Sequence, residues 1–196
     1  FMDVERQLHM FQRAFWENDL DFRPYSEAFE TARKPKPHLD MQGLHIPDVY
    51  EDKFGISGLH RYWAILAHML AHKKWTKPLL ADNFSVFQHL AIEVFEDSRI
   101  EHLAMQQYPG LQSLWVKMHP VPTPGTCPNG WACIRHKLAM LSYAILNPEH
   151  RYTDPALLEY VTKFREYFAT DPHGPKFAVD LGVGWLRDNF EHNFRQ

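Results

Sequence analysis

The sequence predicts an all-α protein, a compact multi-helix bundle built round a long buried central helix. Three observations carry this. Apolar residues recur at helical spacing through most of the chain. Proline, glycine and capping residues cut it into helix-length pieces. The segment from Ser85 to about Tyr108 is apolar on more than one face, as a helix packed on several sides must be. With 196 residues, 45 % of them hydrophobic and 14 % aromatic, the chain has the apolar surface for one helical domain spanning 1–196.

Val4, Leu8, Phe11 and Phe15 mark an amphipathic helix between Met2 and Asn18. A shorter helix fits Tyr25 to Arg33, stopped by the Lys34–Pro37 run. Leu39 to Gly58 is irregular, with Gly43 to Asp48 as a short extended piece. Ser57 is the natural N-cap of a helix over Gly58–Trp75, which Pro78 closes. Asp82 or Ser85 opens the long central helix, and Pro109-Gly110 stops it. A short helix covers Leu111 to Met118, followed by a Pro/Gly-rich loop at 119–130 with the character of a hinge. Helices over Trp131–Leu146, Pro155–Ala169 and about Lys176–Phe194 complete the chain. The aromatics near Trp115, Trp131 and Trp185 look exposed, and the sequence does not decide whether they form an interface.

A net charge of −3 with mixed signs lacks the basic stripe of a nucleic-acid binder. No apolar run reaches membrane-spanning length and no secretion pattern opens the chain, so no membrane insertion and a cytoplasmic location are expected. Cys127 and Cys133 could bridge a tight loop, but two cysteines in such a compartment read more readily as separate thiols.

One constellation has metal chemistry. His68 and His72 lie at i and i+4, on one helix face, where both imidazoles can address one ion. Glu93 and Glu96, on the central helix, are candidates for a third ligand, with Asp97 orienting an imidazole from behind. Two nitrogens and one oxygen suit zinc. The position that a zinc peptidase reserves for its general base is Met69, so a metal pinning two helices is the better use of such a site than hydrolysis. The bland alternative is a pair of histidines bonded within a helical core. Arg99 is expected to pair internally with Glu96 or with a carboxylate elsewhere. Serine-hydrolase elbows, phosphate loops, dinucleotide turns and paired Glu-x-x-His helices are absent from the sequence.

The run GLHRYWAILAHMLAHKKW, followed by VFEDSRIEHLAMQQYPGLQSLW, resembles the region ahead of the von Willebrand A domain in NorD- and CbbO-type proteins, over about residues 39 to 118. The corresponding motif here is Phe95-Glu96-Asp97-Ser98-Arg99-Ile100-Glu101, with Pro109-Gly110-Leu111 after it. The resemblance implies the helical N-terminal part of a longer adaptor, a partner of MoxR-class AAA+ ATPases that activates a target enzyme such as Rubisco or nitric oxide reductase. It also favours Glu96 over Glu93 as the carboxylate of the set His68, His72 and Glu96. The family commonly has a glutamate inside HxxxH, where this chain has Met69. Three functions therefore stand at the sequence level: an adaptor module, a zincin-like metal-dependent hydrolase, and a helical scaffold with or without a structural metal.

Overall fold

The computed structural model describes residues 1–26, 36–53, 55–78, 83–127 and 131–190, with backbone alone at 131 and 132. It is predominantly helical, with seven helices and one small sheet among these residues. Where the sequence reads as one helical domain, the chain divides into two compact units, 1–74 and 75–196.

The first unit opens with α1 (Met2–Trp16) and contains the sheet and nearly all of α2 (Gly58–Trp75). The sheet was not foreseen beyond its central strand. β3 (Gly43–Pro47) lies between β1 (Phe22–Tyr25), to which it is parallel, and β2 (His38–Asp40), to which it is antiparallel. The helix expected from Tyr25 is corrected at its start, where Tyr25 ends β1; positions 27–33 lie outside the described residues. Proline at 24 is tolerated because β1 is an edge strand. Leu44 and Ile46 on β3 are buried with Leu8, Phe22, Tyr62 and Leu66 in an aliphatic and aromatic core. Two details fix the backbone. Buried Gln12 donates to the carbonyl of Leu20 and accepts from its amide, replacing backbone pairing where the chain leaves α1. Gly43, at φ 130°, has no room for a Cβ beside the carbonyl of Asp21.

The second unit is the bundle. α3 (Val86–Gln107) is its central helix, opened by a reciprocal capping box between Ser85 and Gln88. Around it lie α4 (Gly110–Met118), α5 (Trp131–Leu146), α6 (Pro155–Thr170) and α7 (Phe177–Phe190). Asp154 caps α6 through the amide of Ala156, with Pro155 in the first turn. Phe95, Phe164, Phe177, Leu138 and Leu141 are fully buried here. Trp115 and Trp185 are also buried, at 6 % and 2 % exposure, which removes them as surface aromatics. α7 reaches α3 through a glycine: a Cβ on Gly182 would stand 2.7 Å from the backbone nitrogen of Ile92. Cys127 and Cys133 are joined as a disulfide across the end of the Pro/Gly-rich loop, correcting the expectation of separate thiols. None of the described helices is long and apolar enough to cross a membrane.

Candidate functional site

The helix pairing expected of His68 and His72 is present. Both are half-buried on α2, and their Nε2 atoms lie 3.1 Å apart, so that one imidazole donates to the other when both are neutral. The rings meet edge to face, with centroids 4.7 Å apart. Met69, at the position of the missing base, is half-buried beside them in the sequence. These two residues belong to the first unit and Glu96 to the second.

Glu96 has a complete set of partners within its own unit. The guanidinium of Arg99 grips it as a fork, Nε to Oε2 at 2.8 Å and an Nη to Oε1 at 2.6 Å. Thr76 donates its hydroxyl to Oε1 at 2.6 Å. Arg99 is only 4 % exposed and gives two further donors to the carbonyls of Pro172 and Trp75, the last residue of α2. The internal pair expected from the E-D-S-R-I-E run is therefore present. It also caps a helix C-terminus, where a cation complements unpaired carbonyls. Glu93, the other candidate ligand, is exposed on α3, and Asp97 is half-buried.

A second group of metal-type ligands lies where sequence periodicity was read as irregular. His38 and Asp40 alternate on β2, and His45 on β3 is the direct cross-strand partner of His38. The period of two puts all three on the face opposite Leu44 and Ile46, away from the core. The imidazoles of His38 and His45 stack at 4.4 Å with planes 3° apart. One ligand atom from each of His38, Asp40 and His45 lies within 4.8 Å of the others, so this group could hold a metal ion. Asp40 accepts the backbone N–H of Gln42 at Oδ1, closing the two-residue hairpin turn. That bond, together with the neighbouring His45, holds the Asp40 carboxyl below the usual carboxylate range. The signal in the sequence is H-L-D-M-Q-G-L-H: two ligands at strand spacing, a turn with glycine, and a third ligand in register.

Comparison with known proteins finds no matching family model, no matching curated protein and no matching solved structure. Function rests on the residues themselves.

Proposed function

We propose that this chain is a helical adaptor module that docks a MoxR-class AAA+ ATPase ring onto a target enzyme, Rubisco or nitric oxide reductase being the target classes that its sequence resemblance implies. The observation that supports this reading is how the E-D-S-R-I-E segment is used. Glu96 and Arg99, its most reactive-looking members, are spent on each other and on backbone carbonyls. A motif built in this way holds helices in place and leaves recognition to the surface. Methionine at 69 points the same way, since it cannot take a proton from a bound water. The test is capture of the purified chain on an immobilised MoxR-class ATPase with ATP and with ADP. Retention in either nucleotide state supports the adaptor, and passage through the column in both overturns it.

A second reading draws on the approach of His68 and His72, whose Nε2 atoms are near enough to be two ligands of one zinc ion. It makes the chain a zincin-like metal-dependent hydrolase, with Glu93 or Glu101 as base. Zinc and turnover both lost in His68→Ala would favour it over the adaptor.

A further inference from the structure

The geometry points to a zinc site on the β2–β3 hairpin, formed by His38, Asp40 and His45, separate from the histidine pair of α2. Four observations carry it. Strand register alone brings the three side chains to one face, and they close to within 4.8 Å without any change of backbone. The Nδ1–H of His38 donates to the carbonyl of Lys36 at 2.9 Å, which leaves Nε2 as the nitrogen with a lone pair to give. A backbone carbonyl on the far nitrogen is the usual way of orienting a zinc-binding imidazole. Asp40 is anchored in the same manner, with Oδ1 fixed by Gln42 and Oδ2 turned toward His45. Finally, Nε2 of His45 is shielded from solvent and makes no aligned hydrogen bond, although Asp40 Oδ2 lies 3.0 Å away. The two atoms thus sit side by side, close enough to be ligands of one ion.

The donor set selects the ion. Calcium and magnesium take oxygen ligands, whereas two imidazoles and a carboxylate suit a first-row divalent ion, zinc above all. Zinc would draw the ring nitrogens to about 2.0–2.1 Å and leave a fourth position for water or for a side chain of a partner. Because His38 and Asp40 are exposed, that fourth position opens to solvent. The ion would fasten a three-residue edge strand, β2, to the strand beside it.

The experiment is zinc titration of the purified chain, read by elemental analysis after removal of free metal and by the imidazole proton resonances. In the wild type, zinc alone should shift the ring protons of His38 and His45. Asp40→Asn, an exposed position that leaves the strands intact, should weaken zinc binding, and His38→Ala with His45→Ala should weaken it more than about 100-fold, beyond what an outer-shell change produces. His68→Ala should leave these shifts in place, which separates this site from the α2 pair. Ring protons of His38 and His45 that do not respond to zinc in the wild type would overturn the inference, whether or not the variants fold. Zinc retained at full affinity in the double variant that also carries His68→Ala would do the same.

Discussion

Arg99 is a charge almost fully removed from water, and four of its N–H donors are engaged. Truncation therefore harms more than the pair itself, because Glu96, at 17 % exposure, is left without its counter-ion and, among the described residues, with only the Thr76 hydroxyl as a hydrogen-bond donor. Arg99→Met should lower the unfolding free energy by about 3–5 kcal/mol in urea denaturation. Glu96→Gln in the same chain should recover part of the loss, since a neutral amide tolerates burial better. A second residue sets an acid limit. His102 meets the rings of Phe164 and Phe168 edge to face, at 4.9 and 5.5 Å, and bonds the carbonyl of Ser98. Burial lowers its proton affinity below the ordinary histidine value. Below about pH 6.5 the unfolded chain takes a proton that the folded chain refuses, so stability is lost as pH falls toward the depressed folded value. Urea midpoints followed from neutral pH to about pH 5 should decline less in His102→Phe than in the wild type.

Among the elements, α7 shows how packing overrides helix propensity. Alanine at an exposed helical glycine would stabilise by about 1 kcal/mol. At Gly182 the added methyl meets the backbone of Ala91 and Ile92 on α3, which cannot turn aside as a side chain would. Gly182→Ala should instead destabilise by about 1–3 kcal/mol, measured as a lower thermal midpoint. Alanine at Gly184, whose nearest neighbour is the Tyr160 hydroxyl at 3.3 Å, should cost less. The helices themselves were legible because their signals are local: Ser57, Ser85 with Gln88, Asp154 with Pro155, and Pro109-Gly110 all act within one turn. The sheet was not, since β1 and β2 are four and three residues long and depend on β3 for their pairing. The same locality explains the sites. His68 and His72 are four residues apart and were found; His38, Asp40 and His45 are neighbours only through strand register and were missed. The Glu96–Arg99 pair was visible from its spacing, but the carbonyls of Trp75 and Pro172 that complete it were not.

For the molecule as a whole, thirteen histidines against a net charge of −3 put the neutral point near pH 6.5. Repulsion between copies vanishes there, so solubility should pass through a minimum near that pH and recover on either side, as light scattering would register. The second unit carries one further consequence, which concerns time. Arg99 reaches the carbonyl of Pro172 across 73 residues of chain. Its guanidinium can shed water only after both ends of that span have arrived, which places the event late on the way to the native state. Arg99→Lys keeps the charge and loses the fork, so it should hasten unfolding while refolding proceeds at nearly its original rate.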